Sequence, residues 1–558
     1  MPFPRSNVAS HLRVDQYPAA PICWASCPTR SPYAFSSDAC FVRPLRSVAH
    51  HTAAHRPMST SRRTFLKTSA LAAAGTVLPA RSWANVLGAN DDIRVAVIGL
   101  NGRGMNHLSS LAKIEGVRIV AICDPDTAVL DKAKARAKLG ADVKTYTDVR
   151  ELLASREVDS VTIATPNHWH ALGAIWAVQN GKDVYVEKPV SHNVWEGRQL
   201  VHAAKKYNKI VQAGTQIRSG EGLREAVQWI QAGNLGKITV ARGFCYKRRD
   251  SIGKTNGPQP IPATVNYDQW SGPAPLVPPH RNNPRWGPIH YDWHWVYLYG
   301  NGDVGNQGIH QMDVARWFLG ESGLPRHTLS IGGRLGYVDD GDTPNTQVVI
   351  HDYATAPLLF EVRGLPKKAG ITVAQAGDPA ANQGGGSSGM DKYRGVDIGN
   401  VIDCEGGSLV TTQYFDATAY DKAGKVVKEF KGQDRHMQNF IDVVRSRKTQ
   451  DQYGPVEEGH VSSALCHLGN ISHQIGKATG GAKLKDQVKS DKLLSEAYGR
   501  MVEHLGNNNV DLEKTPLTLG VPLIVDAKNE RFTGPDAARA NKMLTREYRA
   551  PYTVPSIA

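Results

Sequence analysis

The sequence of 558 residues predicts an α/β protein: an N-terminal Rossmann domain with a doubly wound parallel sheet, then an α+β domain with an open, mostly antiparallel sheet. Three observations predict this fold. A continuous apolar strand runs into a glycine-rich turn near residue 99, strands then alternate with helices to about residue 217, and separate β-branched stretches follow. Parallel strands need long, usually helical crossovers, whereas consecutive strands without them can pair antiparallel.

The composition is that of a globular protein and argues against nucleic-acid binding. Of the net charge of +14, residues 1–84 supply eight charges, because they hold ten Lys or Arg residues and only two Asp. The remainder is mildly basic for its size, so we expect a solvated surface and no nucleic-acid partner. The cysteines after residue 84 show no CxxC spacing, which indicates neither a zinc site nor a disulfide framework.

The first 84 residues have the pattern of an export signal. A Ser-Arg-Arg-Thr-Phe-Leu-Lys motif at 61–67 precedes a small-residue apolar run and a small-x-small cleavage site that ends at Ala84. Residues 58–84 therefore predict a twin-arginine signal peptide and a periplasmic or otherwise exported protein, and the apolar run is too short for stable membrane insertion. Residues 1–57 show no periodicity, and we expect translation to begin at Met58.

A dinucleotide-binding domain is predicted over 85–217. The apolar strand 93–98 ends in a Gly-Leu-Asn-Gly-Arg-Gly turn, and the chain then becomes helical. This is the arrangement that binds a pyrophosphate through helix N-terminal amides, although Asn101 replaces the usual second glycine. The turn residues predicted to contact the cofactor are Gly99, Asn101, Gly102, Arg103 and Gly104.

The next strand, 117–123, ends in Asp124, twenty residues beyond the glycine turn. An acidic side chain there can accept hydrogen bonds from both ribose hydroxyls and repels a 2′-phosphate, so NAD is predicted over NADP. The alternative role for Asp124 is a helix cap ahead of Pro125.

The alternation that follows predicts the parallel sheet. The predicted helices begin at Asp126, Asp148, His168 and Asn193. The predicted strands cover 160–164, 183–186 and 210–213. Ligands of such sheets bind at the carboxyl ends of the strands. The Thr-Pro-Asn segment that starts at Thr165 and the Glu-Lys-Pro segment that starts at Glu187 therefore both belong to the cofactor crevice.

These two segments resemble those of the Gfo/Idh/MocA family, which includes glucose-fructose oxidoreductase and inositol dehydrogenase, and the export signal is typical of its exported members. The export route, which generally carries proteins that have already folded, often around a cofactor, predicts a tightly bound NAD. The resemblance implies that Lys188 reaches the reacting hydroxyl beside the nicotinamide and that the bond into Pro189 is often cis. A surface lysine at a strand end is the alternative for Lys188. The further cofactor contacts assigned in this way are Thr165, Pro166, Asn167, His170, Glu187, Lys188 and Pro189.

A second domain, 218–433, is predicted to wall the substrate cleft. It begins with a helix over 221–231. The stretches that predict its sheet are 238–240, 327–331, 346–350, 358–362 and 409–413. The resemblance implies that the free face of this sheet forms a homo-oligomer.

The stretch from Gly302 to Asp313 resembles the DxxxHxxD segment in which the family carries its catalytic histidine. His310 thereby maps to the general acid or base, and Asp313, one helical turn on, could orient it. Asn306 replaces the first aspartate of the segment. An asparagine can hold a sugar hydroxyl but cannot raise the basicity of His310, which shifts proton abstraction towards Lys188. The alternative for His310 is a satisfied helix-cap histidine.

The excursion 267–295 is rich in Pro, Trp and His. The spacing of His290 and His294 would suit a metal, but the aromatic residues around them favour a wall that faces a carbohydrate, and no metal is predicted. A glycine-rich loop at 384–389 is expected at the cleft rim. The predicted substrate contacts are Trp295, Asn306 and Asp313.

Residues 434–558 are predicted to form C-terminal helices and a tail. Two apolar stripes predict core-facing helices: Met437, Phe440, Ile441 and Val444, then Leu465, Leu468, Ile471 and Ile475. The stretch 540–552 resembles the C-termini of exported family members.

Three functions fit these residues. The first is an NAD(P)-dependent oxidoreductase that takes a hydride from a hydroxyl-bearing carbon of a sugar, glycoside or polyol, with Lys188 and His310 handling the proton. The second is a redox-neutral NAD-dependent glycosidase or lyase that works through a 3-keto intermediate, which export away from an NAD pool favours. The third is a non-catalytic sugar-binding protein.

Overall fold

The structure, a computed structural model, describes residues 92–371, 389–412 and 414–557. The predicted extension, the predicted signal peptide and residues 384–388 of the predicted rim loop lie outside the described residues. None of the helices in the described part combines the length and the apolar character that crossing a bilayer requires.

The first sheet has the strand order of a dinucleotide-binding Rossmann fold. Its strands are β1 (Ile93–Ile98), β2 (Val117–Cys123), β3 (Lys144–Tyr146), β4 (Ser160–Ile163), β5 (Asp183–Val186) and β6 (Val211–Ala213). They pair in parallel in the order β3-β2-β1-β4-β5-β6. The predicted parallel sheet is confirmed. The short edge strand β3 was missed because its residues are exposed or half-buried and form no apolar pattern.

The helices of this domain are α1 (Arg103–Leu111), α2 (Thr127–Arg136), α3 (Val149–Ala154), α4 (Asn167–Gln179) and α5 (Val194–Lys206). Three of them begin where a short polar side chain accepts a backbone hydrogen bond from the first turn. These caps are Asp126, Asp148 and Asn193. The predicted helix starts therefore follow from local capping chemistry.

The second sheet is mixed and mostly antiparallel, as predicted. Its strands are β7 (Ile238–Tyr246), β8 (His327–Gly333), β9 (Thr346–Asp352), β10 (Leu358–Arg363), β11 (Ile398–Cys404), β12 (Gly407–Thr411), β13 (Ala417–Asp421), β14 (Val426–Phe430), β15 (Lys477–Thr479), β16 (Leu517–Leu519), β17 (Leu523–Asp526) and β18 (Arg531–Thr533). The main path is β14-β13-β12-β11-β7-β10-β9-β8-β16-β15, and β17 joins β8 and β18. Only β7 and β10 pair in parallel among these strands. The strands β15 to β18 correct the expectation that residues 434–558 hold only helices and a tail.

The remaining helices are α6 (Glu221–Gln231), α7 (Tyr267–Ser271), α8 (Gly302–Asn306), α9 (Gly308–Leu319), α10 (His436–Ser446), α11 (Val456–Gln474), α12 (Gly481–Val488), α13 (Lys492–Asn507) and α14 (Ala537–Ala540). The helices α9 and α11 lie on one face of the second sheet, where their apolar side chains share a buried core with the strands. This face carries α9 and its histidine towards the Rossmann domain.

The other face of the second sheet is covered over β7 to β12, so most of the surface expected for oligomerisation is not open. Apolar residues of α12 and α13 pack against β8, β9 and β10. Met390, Tyr393 and Val396 pack against β7, β11 and β12. A homo-oligomer remains a prediction, but no open sheet face in the described residues is assigned to it.

The C-terminal tail returns to the Rossmann domain. Tyr552 is buried, and its ring meets those of Trp169 and Trp176 on α4. Its hydroxyl donates a hydrogen bond of 2.7 Å to Asp268 on α7. The tail therefore ties α4 to the excursion that precedes the histidine helix.

Candidate active site

The turn between β1 and α1 brings two backbone segments into contact. Gly99 has a φ of +82°, and a Cβ on Gly104 would lie 1.9 Å from the carbonyl oxygen of Gly99. No side chain caps the first amides of α1. Free helix N-terminal amides beside a turn without side chains are what a pyrophosphate binds. The turn therefore fits a dinucleotide.

The segments that begin at Thr165 and Glu187 lie side by side at the ends of β4 and β5. His170 joins them, because its ring nitrogens lie 2.8 Å from the carbonyl oxygen of Thr165 and 2.6 Å from that of Pro189. Both nitrogens are thus engaged within the protein, and His170 is a brace instead of a free cofactor contact. The bond between Lys188 and Pro189 is cis, as the resemblance implied.

Two buried polar atoms at the end of β4 lack a partner. Thr165 Oγ1 and Asn167 Oδ1 have no hydrogen bond within the described part of the chain. Buried polar groups in native proteins are nearly always satisfied, so orphaned ones at a strand end indicate a missing ligand. These two atoms fit a dinucleotide bound across the crevice.

Asp124 lies at the end of β2, as predicted, but its carboxylate also anchors the glycine turn. One oxygen accepts a hydrogen bond of 2.9 Å from the Leu100 amide, and the other accepts one of 3.1 Å from the Asp126 amide. Burial raises the pKa of Asp124 to about 6. The capping role considered for Asp124 belongs to Asp126, which accepts from the Ala128 amide. The unused lone pairs of an ionised Asp124 remain available to ribose hydroxyls.

We expect Asp124→Ala to weaken dinucleotide binding by about 1–3 kcal/mol, because the ribose loses a charged acceptor. Calorimetry against NAD measures the change, with Asp491→Ala, which removes the cap of α13 on the second sheet, as the control. In the unaltered protein the affinity should fall as the pH drops through about 6, where Asp124 takes up a proton. An unchanged affinity in the variant would remove Asp124 from the site.

Glu187 is a fixed negative charge beneath the crevice. Its Oε1 accepts hydrogen bonds of 2.8 Å from Arg103, 3.1 Å from His107 and 3.0 Å from Gln216. Burial opposes ionisation, but Arg103 and His107 hold the pKa of Glu187 well below its usual range. Arg103, predicted to contact the cofactor, therefore also ties the glycine turn to the end of β5. His107 and Gln216 were not singled out from the sequence.

Lys188 reaches from the crevice to the second domain. Its ammonium donates a hydrogen bond of 2.5 Å to the backbone carbonyl oxygen of Asn306, and its side chain stays partly exposed. Burial, helped by neighbouring cations such as Arg103, lowers the pKa of Lys188 from 10.5 to about 8. An amine with this pKa can accept a proton near neutral pH. Asn306 thus contributes its backbone to the lysine, in addition to any contact its side chain makes with substrate.

His310 lies in the first turn of α9 and is buried. Burial, reinforced by the charge of Lys188, lowers the pKa of His310 to about 3, so its imidazole is neutral near neutral pH. Its Nδ1 is enclosed and has no hydrogen-bond partner among the described residues. A neutral imidazole with so low a pKa is a poor base near neutral pH.

Asp313 does not orient His310. Its carboxylate receives two hydrogen bonds of 2.8 Å from Arg218 and one of 2.5 Å from Ser462. The side chain is 1% exposed. The predicted roles of Asp313 in orienting His310 and in binding substrate are therefore wrong, because the carboxylate is consumed in neutralising a buried guanidinium.

The aromatic wall differs from the predicted one. Trp295 is buried, with the Arg249 guanidinium 4.8 Å from its ring centroid, so it supports the cleft from behind instead of facing it. The aromatic and histidine rings of this excursion that are partly exposed are Trp286, His290, Tyr291, Trp293 and His294. Trp293 and His294 stack with centroids 3.7 Å apart.

The histidines of the excursion serve hydrogen bonds. His290 Nε2 lies 2.8 Å from Asp126, and His294 Nδ1 lies 2.5 Å from the carbonyl oxygen of Tyr291. In the described ranges no three His, Cys, Asp or Glu side chains converge as metal ligands would.

Family models match both domains. A model described as an oxidoreductase family with an NAD-binding Rossmann fold matches residues 93–215, and one for the C-terminal alpha/beta domain of the same family matches residues 222–332. A twin-arginine translocation signal sequence matches residues 59–79. The chain is therefore exported by the twin-arginine pathway.

Curated relatives match part of this chain. A glycosyl hydrolase family 109 protein of Shewanella sp. (strain W3-18-1) is 34% identical over 154 residues, which is 26% of this chain and 34% of the relative. Another, from Shewanella sp. (strain ANA-3), is 37% identical over 200 residues, 32% of this chain and 44% of the relative. The matched region thus spans well under half of these relatives.

Solved structures of similar fold include the WlbA dehydrogenase of Bordetella pertussis in complex with NADH and UDP-GlcNAcA. It is 18% identical, with a TM-score of 0.46, and the match covers 68% of this chain and 95% of that one. An oxidoreductase of Thermotoga maritima is 14% identical, with a TM-score of 0.48, and the match covers 68% and 96% of the two chains.

Proposed function

We propose that this chain, which belongs to the Gfo/Idh/MocA oxidoreductase family and carries a twin-arginine export signal, is an exported enzyme. It oxidises a hydroxyl of a sugar, glycoside or polyol with a bound nicotinamide dinucleotide. NAD is the proposed dinucleotide, because a carboxylate at the end of β2, here Asp124, would repel a 2′-phosphate. We propose that it stays bound during export.

One observation carries this proposal: Lys188 presents a partly exposed amine of lowered pKa at the end of β5, close enough to His310 for its charge to lower the pKa of that histidine. The ends of parallel strands are where a Rossmann domain holds its cofactor. A group that accepts a proton at this position suits the oxidation of an alcohol, because hydride loss from carbon requires loss of the hydroxyl proton.

The residues divide the work between binding and proton transfer. The glycine turn, Thr165 and Asn167 would hold the dinucleotide, whose nicotinamide supplies the hydride acceptor when bound. Lys188 accepts the proton of the reacting hydroxyl through its amine nitrogen. Neutral His310 donates a hydrogen bond to a neighbouring substrate oxygen or accepts one from a substrate hydroxyl. The rings of Tyr291 and Trp293 exclude water from one side of the cleft.

The second candidate is a redox-neutral glycosidase or lyase that works through a 3-keto intermediate. The family 109 glycosyl hydrolase relatives favour it, and so does export to a compartment without an evident pool to reoxidise a reduced cofactor. Oxidation at carbon 3 acidifies the hydrogen at carbon 2, which permits elimination of the anomeric group together with that proton. Water then adds across the resulting double bond between carbons 1 and 2, and the ketone at carbon 3 is reduced again by the same hydride. The same residues serve both candidates, which differ in whether the hydride returns.

The test of the proposed function begins with the purified protein. Mass spectrometry should find a co-purified dinucleotide, and near-ultraviolet absorbance should report reduced nicotinamide after one burst of turnover with a suitable glycoside. Sustained release of the aglycone without an added oxidant supports the redox-neutral candidate. A protein that binds neither dinucleotide nor any glycoside contradicts both.

We expect the activity to rise with pH through about 8, because Lys188 acts as a base only after losing its proton and burial lowers its pKa to about 8. Below this pH, kcat/KM should fall about tenfold per pH unit, as for one essential base. The pH profile of the initial rate measures this. A profile with no limb near pH 8, in protein that keeps its dinucleotide, would instead exclude Lys188 as the base.

A further inference from the structure

Three side chains, those of Gln307, Lys188 and Tyr414, make hydrogen bonds where helix α8 ends and α9 begins. Gln307 lies between the two helices with φ −108° and ψ −41°. The amide of His310 bonds to the carbonyl oxygen of Gln307, so the carbonyl oxygen of Asn306 is left for Lys188. The break in the helix therefore supplies an acceptor that an unbroken helix would have used.

The third side chain is Tyr414, from the loop between β12 and β13. Its hydroxyl oxygen accepts a hydrogen bond of 2.8 Å from the side-chain amide of Gln307. Its ring centroid lies 5.5 Å from that of His310. The phenol is thus fixed from two sides, by the amide of the helix break and by the ring of the histidine.

The hydroxyl proton of Tyr414 has no acceptor among the described residues. The Gln307 amide is the donor in their shared bond, so the phenol must point its own proton elsewhere. The side chain is 36% exposed. Burial of the remainder raises the pKa of Tyr414, so the proton stays on the oxygen. The crevice therefore holds a phenol that can donate a hydrogen bond but is not ready to act as a base.

The neighbouring residues offer the substrate neither a free carboxylate nor a charged imidazole, so a neutral donor such as this phenol would add a substrate contact. Asn306 replaces a carboxylate expected from the family, the carboxylate of Asp313 is held by Arg218, and His310 is neutral. A sugar presents hydroxyl oxygens that accept as well as donate, and its C–H face packs on aromatic rings.

We propose that Tyr414 is a substrate-contacting residue that donates a hydrogen bond to a sugar oxygen beside the reacting carbon and packs its exposed ring edge against the sugar. This assignment rests on the proposed function and names the residue that selects for a hydroxylated ring. Proton abstraction stays with Lys188. Tyr414 contributes to the affinity for substrate more than to the chemical step.

Two variants separate the contribution of the Tyr414 hydroxyl from that of its ring. Tyr414→Phe removes only the hydroxyl, and we expect KM for p-nitrophenyl hexosides to rise about 2- to 10-fold, as for one neutral hydrogen bond, with a smaller change in kcat. Tyr414→Ala also removes the ring and should raise KM further. The pH profile of Tyr414→Phe should keep its limb near 8, since Lys188 titrates there.

Tyr207→Phe is the matched control, because Tyr207 is equally exposed and lies at the end of α5. The melting temperature and the bound dinucleotide should be the same in all three variants. An active protein whose KM is unchanged in both Tyr414 variants overturns this assignment alone. So does loss of stability or dinucleotide in Tyr414→Phe, which would make the contact with Gln307 structural. If the unaltered protein neither binds nor converts a hexoside, the proposed function and this assignment fall together.

Discussion

Replacing Lys188 by methionine should lower kcat by about 10²- to 10⁴-fold, the usual contribution of a positioned acid or base. The dinucleotide should remain bound, because the ammonium contacts the Asn306 carbonyl oxygen and makes no hydrogen bond to the glycine turn. Methionine keeps the length and apolar body of the lysine, so the loss reports the amine. Initial rates and the dinucleotide content of the purified variant measure the two effects.

The control for this experiment is Lys206→Met, an exposed lysine in the last turn of α5 that should keep full activity. In Lys188→Ala, small primary amines added to the solution should restore part of the rate, since they can occupy the space of the side chain. Full activity in Lys188→Met would exclude the lysine from the chemistry. Loss of the dinucleotide would make its role structural.

Gly104→Ala should abolish retention of the dinucleotide. A Cβ at this position would lie 1.9 Å from the carbonyl oxygen of Gly99, a contact that only a shift of the backbone can relieve. Overpacking of this kind costs about 1–3 kcal/mol, and because the shift opens the pyrophosphate turn we expect affinity to fall by about 10- to 100-fold. The dinucleotide content and a calorimetric titration with NAD measure it.

Gly499→Ala is the matched control, because Gly499 lies in α13 with open space around its Cα. Alanine there should stabilise the helix slightly and leave the dinucleotide unchanged. Unaltered NAD binding in Gly104→Ala would mean that the turn does not hold the pyrophosphate.

The Rossmann domain could be predicted from the sequence because its signals are local. The apolar strand and glycine turn at β1, the cap residues Asp126 and Asn193, and Asp124 at the end of β2 each depend on neighbours within a few residues. Motifs at successive strand ends meet at one edge of a parallel sheet, so the juxtaposition of Thr165 and Glu187 also followed.

The partners of the second domain could not be predicted, because they come from distant segments. The carboxylate of Asp313 was expected to face His310, but Arg218, from a short helix before α6, takes it. Tyr414 reaches Gln307 across a separation of 107 residues. The burial of Trp295 depends on Arg249 at the end of β7. Side-chain spacing along one segment carries no information about such contacts.

Strand β11 and the short strands β15 and β16 could also not be predicted from the sequence. β11 begins with Ile-Gly-Asn, where a glycine interrupts the apolar pattern, and β15 and β16 have three residues each. Their pairing with neighbouring strands is a tertiary effect that overrides weak local preference. The cover that α12 and α13 place over the sheet likewise depends on the whole chain.

The most direct measurement of the central claim follows the hydride itself. The protein with its co-purified dinucleotide is incubated with a glycoside deuterated at every ring carbon, and both the nicotinamide and the sugar are analysed by mass spectrometry. We expect deuterium to enter the nicotinamide in a single turnover. If the cycle is redox-neutral, the label should instead return to the product while the position at carbon 2 exchanges with solvent. A substrate that is cleaved or bound with no deuterium in the nicotinamide and no exchange at carbon 2 would contradict hydride chemistry at this site.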